Sequence, residues 1–171
     1  VRLYQCHASI DVIKNLLKDF NNNGLMPLVN QHKGLECAGY THWQVASTTT
    51  LGTRLSFYGH LIHQSLLSVP RLRQKKIGGS VGDGRALNEL LGKDINIILP
   101  ILNGTMLLPP PGNSIQSSDG INELQFAHWL CFIGAHLHKL AFDFRFLAST
   151  GELRIKRNKD YRGSSSMPHK N

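Results

Sequence analysis

Residues 119–148 read DGINELQFAHWLCFIGAHLHKLAFDFRFLA, and their apolar positions decide the architecture. Phe126, Leu130, Ile133, Leu137, Leu140, Phe144 and Leu147 recur at alternating intervals of four and three, the heptad spacing of a helix that packs along one stripe. Ser117, Ser118 and Asp119 offer N-caps, with Glu123 in the first turn. Beside the heptad stripe runs a second, mostly small one: Ala127, Cys131, Gly134, Ala141 and Ala148. Small side chains there let another helix approach closely. A helix over 119–148 is roughly 45 Å long at about 1.5 Å per residue, longer than a compact domain of this size is wide. It is expected to project into an oligomeric bundle whose partner helices cover both stripes.

Two further helices are expected upstream. Ile10, Ile13, Leu16, Leu17 and Phe20 line one helical face between Leu3 and about Phe20, and Asn21-Asn22-Asn23-Gly24 is read as its break. Gly34 to Tyr40 reads as a short loop or extended piece. A second long helix begins near Thr48 and carries Leu51, Leu55, Tyr58, Ile62, Leu66 and Val69 at steps of three or four, with Pro70 as its end or kink. Between the second and third long helices, Gly78, Gly79, Gly82 and Gly84 disfavour regular helix. They lack the G-x-G-x-x-G spacing and any following Gly-Lys-Ser/Thr, so a nucleotide-phosphate loop is a weak reading. Ala86 to Leu99 is assigned to helix on context, and Pro109-Pro110-Pro111-Gly112-Asn113 to a loop. The fold class expected is all-α.

With 171 residues, 41% of them hydrophobic and 18% charged, the chain is long and apolar enough to fold around a core. Its formal charge of +8 favours anionic ligands without choosing among them. The densest basic runs, residues 154–159 and Arg71, Arg73, Lys75 and Lys76, are first of all solvated faces. The long helices show apolar stripes rather than a basic face, which argues against nucleic-acid binding. Cys6, Cys37 and Cys131 are odd in number and widely spaced, indicating neither a disulfide framework nor a structural metal, and a reducing cytosol fits best. No apolar run reaches the roughly 18 residues of a membrane span, so a soluble, cytoplasmic protein with no membrane partner is expected.

The last nine residues, Gly163-Ser164-Ser165-Ser166-Met167-Pro168-His169-Lys170-Asn171, are too polar for a core and read as a surface loop able to close over an anion. This run resembles the signature loop of the fumarase/aspartase superfamily, G-S-S-x-M-P-x-K-x-N, from Gly163 to Lys170. Asn171 falls on the variable position before the signature asparagine. Upstream, residues 39–52, with Thr41-His42-Trp43-Gln44-Val45-Ala46 and then Thr50-Leu51-Gly52, resemble the superfamily's second conserved region, T-H-x-Q-x-A followed by T-x-G. The Gly78 to Asn88 stretch resembles its glycine-rich segment, and residues 143–149 resemble its N-D-I-R-L-L-A-S run. Because the chain opens at Val1 and stops inside a motif, it is read as a central helical lyase domain, residues 1–171, of a longer polypeptide.

The resemblance implies a reversible β-elimination that releases fumarate from a succinyl-type substrate. A base takes a proton from the carbon beside a carboxylate, giving a doubly charged aci-carboxylate, and an acid protonates the departing nitrogen or oxygen. By resemblance Ser164 is the base and His42 the acid, an imidazole being suited to work near neutral pH. Ser165 and Lys170 hold a substrate carboxylate, helped by Thr41 and Gln44. A serine base must have its alkoxide stabilised by loop amides and cations in a site closed to water. No metal and no cofactor are implied. Sites are shared between the subunits of a homotetramer, and since the superfamily's first conserved region is not visible upstream of Gly39, the chain alone is expected to hold an incomplete site. His169 favours the adenylosuccinate lyase branch; the other branches considered are argininosuccinate lyase and the fumarase and aspartase type. A catalytically inactive structural homologue is the alternative of another class.

Without the resemblance, Thr41-His42-x-Gln44 is only a polar cluster at a helix start, and His42 is one of nine scattered histidines. His128, His136 and His138 lack the i, i+4 spacing of a zinc helix.

Overall fold

A computed structural model of the chain describes residues 2–73, 81–92, 117 and 119–154. Helix α1 (Arg2–Asp19) continues through one π-helical turn (Phe20–Leu25) into α2 (Met26–His32). A hairpin of β1 (Glu36–Thr41) and β2 (Gln44–Thr50) leads directly into α3 (Leu51–Leu67). The short α4 (Arg85–Leu91) precedes the longest element, α5 (Ile121–Ser149).

Two apolar clusters set the packing. Ile10 and Leu17 of α1 meet Ile62 of α3 and Trp129 and Ile133 of α5, closed by Leu72. Further along, Leu25 meets Leu55 and Tyr58, with Leu140 and Phe144 against them. As residue numbers rise along α1 and α5 they fall along α3, so both helices run antiparallel to α3. Trp129 is the most buried large side chain, at 1% exposure, and its indole Nε1 donates to the Ser65 carbonyl at 2.8 Å. The Ser65 hydroxyl, itself fully buried, lies 2.9 Å from His136 Nδ1. Nearby, the Asn122 amide accepts from the Arg73 backbone N–H at 2.9 Å and donates to its carbonyl at 2.8 Å. That pair of hydrogen bonds pins the chain leaving α3 to the start of α5.

Three expectations are corrected. The chain is mostly helical but not all-α, because residues 36–50 form an antiparallel hairpin paired from Glu36↔Thr50 to Thr41↔Gln44. Helix α3 starts at Leu51 rather than near Thr48, since Thr48, Thr49 and Thr50 are committed to β1. Thr50 then caps it, its hydroxyl accepting from Thr53 N at 3.1 Å. Asn21-Asn22-Asn23-Gly24 does not break the first helix: the π turn absorbs them and keeps the rod going, which carries Leu25 into the second cluster at 3% exposure. Local propensity yields there to burial of one leucine.

Most of the heptad stripe of α5 faces the chain's own helices. Ile133 and Leu147 are buried, and Phe126, Leu140 and Phe144 pack on the intramolecular clusters, while Leu130 and Leu137 are exposed. By contrast the small stripe lies open. Ala127, Cys131, Gly134 and Ala141 are exposed, and a Cβ built on Gly134 would meet no described residue outside its own helical turn within 4 Å. Of the helix expected over 86–99, residues to Leu91 are helical and Gly92 ends them at φ +60; 93–99 lie outside the described residues, as do Gly78, Gly79 and the 109–113 loop. No helix among the described residues is long and apolar enough to cross a membrane.

Candidate active site

His42 sits at the tip of the hairpin. Thr41 and Gln44 are the last paired residues, which leaves His42 and Trp43 as a two-residue loop with φ of 47° and 64°. Positive φ at both central positions is the type I′ geometry, whose twist matches that of the flanking strands and which usually selects Asn-Gly. A histidine and a tryptophan are costly there, by about 1–2 kcal/mol per residue, so something beyond the turn holds them.

That support comes from the end of α5. The Phe146 ring meets Trp43 edge-on, with centroids 4.8 Å apart and planes at 69°, and meets Tyr40 at 5.8 Å and 88°. An edge-to-face pair such as Trp43–Phe146 contributes about 0.5–1.5 kcal/mol beyond burial, comparable to the strain at one of the two turn residues. The Tyr40 hydroxyl donates to Glu152 Oε1, and this bond together with partial desolvation raises the phenol above its ordinary range. Glu152 is delivered by the chain reversal after α5. Gly151 adopts φ +80, so its N–H reaches the Ala148 carbonyl at 3.2 Å and the Glu152 N–H reaches Leu147 at 3.0 Å. These two bonds make a Schellman motif, and a left-handed residue there favours glycine.

The base of the hairpin is tied to α3. Arg54 donates through Nη2 to the Ala38 carbonyl, and Leu51 N donates to Leu35 O at 2.8 Å. Gly52 explains the glycine of the T-x-G run. A Cβ there would stand 2.4 Å from Lys33 Cα and 2.8 Å from Lys33 N, so only glycine lets the end of α2 lie this close to α3.

Thr41, His42 and Gln44 are therefore brought together at one exposed tip, and the His42 imidazole makes no hydrogen bond or ion pair with another described residue. The other site residues expected from sequence, Ser164, Ser165 and Lys170, lie outside the described residues. Reading the sequence missed Tyr40, Trp43, Phe146 and Glu152 as the frame of the histidine. The one signal available was a pair of aromatic residues flanking Thr41-His42. No group of three or more His, Cys, Asp or Glu side chains among the described residues is arranged to hold a metal.

A cleft of about 530 Å³ opens elsewhere, lined among others by Arg71, Leu124, His128, Trp129 and Phe132. Trp129 and Phe146 are separated by roughly 25 Å along α5 at about 1.5 Å per residue. The cleft is thus at the opposite end of the bundle from the hairpin tip.

Comparison with known proteins gives the family. A family model described as "Lyase" matches residues 2–171. The chain is 28% identical to the adenylosuccinate lyase of Archaeoglobus fulgidus over 160 residues, covering 92% of this chain and 35% of the relative. It is 30% identical to that of Methanocaldococcus jannaschii over 172 residues, covering 95% and 36%. With the class II fumarate hydratase of Bacillus subtilis it shares 33% identity over 143 residues, covering 77% and 30%. The crystal structure of β-carboxy-cis,cis-muconate cycloisomerase from Acinetobacter calcoaceticus shares the fold with a TM-score of 0.72 at 18% identity, over 85% of this chain and 33% of that one. The chain spans about a third of the length of the curated relatives it matches. A match that runs from the first helix to Asn171 places the chain in the lyase family: it belongs to the fumarase/aspartase superfamily and is adenylosuccinate lyase-like.

Proposed function

We propose that this chain is the central helical domain of a longer polypeptide that releases fumarate from adenylosuccinate in purine nucleotide biosynthesis, in the cytoplasm. His42 protonates the departing nitrogen while Ser164 removes the proton from the carbon beside the carboxylate. The C–N bond breaks and the C=C bond of fumarate forms. Lys170, Ser165 and the amides of the glycine-serine loop neutralise the aci-carboxylate between the two steps, with Thr41 and Gln44 holding a carboxylate from the hairpin side.

The observation that carries this reading is the state of His42. Its imidazole stands on a strained, well-anchored turn and is used by nothing else among the described residues, as expected of a group reserved for a substrate. Because Ser164 is 122 positions along the chain and the small stripe of α5 lies open, the reading includes a homotetramer in which the hairpin of one subunit meets the loop of another. The class II fumarate hydratase relative, at 33% identity, supports a second reading in which the substrate is a hydroxy acid and the bond broken is C–O.

A direct assay separates them. The full-length polypeptide is incubated with adenylosuccinate, argininosuccinate, malate and aspartate while fumarate absorbance is followed. Turnover of adenylosuccinate is the expected result. Turnover of malate alone selects the second reading, and no turnover of any substrate rejects both.

A further inference from the structure

No hydrogen bond, ion pair or ring contact with a described residue steers the His42 imidazole, so its backbone conformation sets the direction in which the side chain leaves the turn. We infer that Phe146 is a positioning residue for His42, its ring gripped by Tyr40 and Trp43 so that the turn is held in its left-handed conformation. The inference rests on the reading of His42 as the acid of the elimination.

Three observations carry it. Phe146 contacts the residue two before the histidine and the residue one after it, so the two ring contacts bracket the turn. Trp43 is 71% exposed, so it gains little from burial and its orientation is fixed chiefly by the edge-on contact with Phe146. Finally, both turn residues have positive φ without being glycine, so in the absence of an external hold they relax toward right-handed geometry and splay the strands. Such a relaxation swings the imidazole away from the direction the hairpin gives it. The ring is planted on the last turns of α5, and the same helix end supplies the acceptor for Tyr40 through Glu152. The longest helix of the domain thus reaches the proposed acid through one phenylalanine.

The test compares Phe146→Leu, which keeps an apolar side chain in the helix, with Phe146→Tyr, which keeps the ring, in the full-length polypeptide. Phe146→Leu should speed amide deuterium exchange across residues 38–48 on the order of tenfold, the scale of one edge-to-face pair, and leave α1 and α3 protected. It should lower kcat for fumarate release about tenfold or more while KM stays within about twofold, the pattern of a displaced catalytic group rather than lost binding. Phe146→Tyr should behave as wild type in both. Trp43→Leu, which alters the exposed half of the clamp, should reproduce the exchange result without touching the helix. The inference is overturned if Phe146→Leu leaves hairpin exchange unchanged, if exchange rises equally throughout α3 and α5, or if Phe146→Tyr is as impaired as Phe146→Leu. Should the wild-type protein release no fumarate from any substrate, the functional reading falls, and the exchange comparison alone still decides whether Phe146 holds the turn.

Discussion

Tyr58 on α3 donates its phenolic hydrogen to Asp143 Oδ2 on α5, across 85 positions of sequence. Lys139 donates to the same oxygen from one turn earlier in α5. Burial pushes the Tyr58 phenol well above its ordinary range, and the bond to Asp143 pushes it further. Burial alone would raise Asp143 too, but the hydrogen bonds from Lys139 and Tyr58 and the charges of Lys139 and Arg54 outweigh it and hold the carboxyl below its ordinary range.

These opposite shifts predict a pH window for stability. Asp143 contributes above its unfolded value of about 3.9, and the contribution is lost as pH falls through the lower folded value. Tyr58 contributes fully below about pH 10, and its contribution is lost as pH rises through the raised folded value. Tyr58→Phe should lower stability by about 1–2 kcal/mol near neutrality. Thermal midpoints measured against pH should show the gap between wild type and variant flat from about pH 5 to 9 and narrowing beyond both ends. A gap independent of pH down to about 3 would mean that the bond has no part in setting Asp143.

Gly52→Ala introduces a methyl group 2.4 Å from the Lys33 backbone. Since neither neighbour is a flexible side-chain end, the contact between α2 and α3 must shift, at a cost of roughly 1–3 kcal/mol. Urea unfolding measures it; an unchanged midpoint would show that the approach is not tight.

Trp129→Phe keeps most of the ring but leaves the buried Ser65 carbonyl without its indole donor. The expected loss is about 1–3 kcal/mol. Trp129→Ala adds a cavity between α1, α3 and α5 and should cost about 3–5 kcal/mol. Equal losses for the two variants, read from denaturant midpoints, would assign the whole effect to the hydrogen bond.

Gly134→Leu tests the open stripe of α5. Gly134 is exposed, and a Cβ there would meet no described residue outside its own helical turn within 4 Å, so a larger side chain projects from the open face. Helix content by circular dichroism should be unchanged, while light scattering of the full-length polypeptide should show weakened association. An intact tetramer would remove this stripe from the proposed interface.

In the same protein, Ser164→Ala and His42→Ala should each lower fumarate release by about a hundredfold or more, the usual contribution of a general acid or base, with assembly intact. Near-normal turnover in either variant rejects the role assigned to that residue.

The three long helical segments were legible in the sequence because each buries one face, and burial leaves a period of three to four that no tertiary information is needed to see. The T-H-x-Q motif and the run at 163–171 carried the resemblance to the lyase family, whose model matches residues 2–171. What pattern could not give were features fixed by contacts distant in sequence. The threonines of β2 carry no apolar alternation, so the hairpin becomes a strand pair only because β1 and α3 fix both of its ends. The asparagine run after Phe20 looks like a break and is overruled by Leu25 seeking Leu55 and Tyr58. Nor could spacing reveal that the ring bracketing His42 lies on Phe146, more than a hundred residues away. The sequence by itself determined the helices and the residue types available for chemistry, because periodicity and composition are local. Only the tertiary structure decided which stripe stays open, where the first helix continues, and what steadies the histidine, because each of those depends on atoms that the chain brings together only once it has folded.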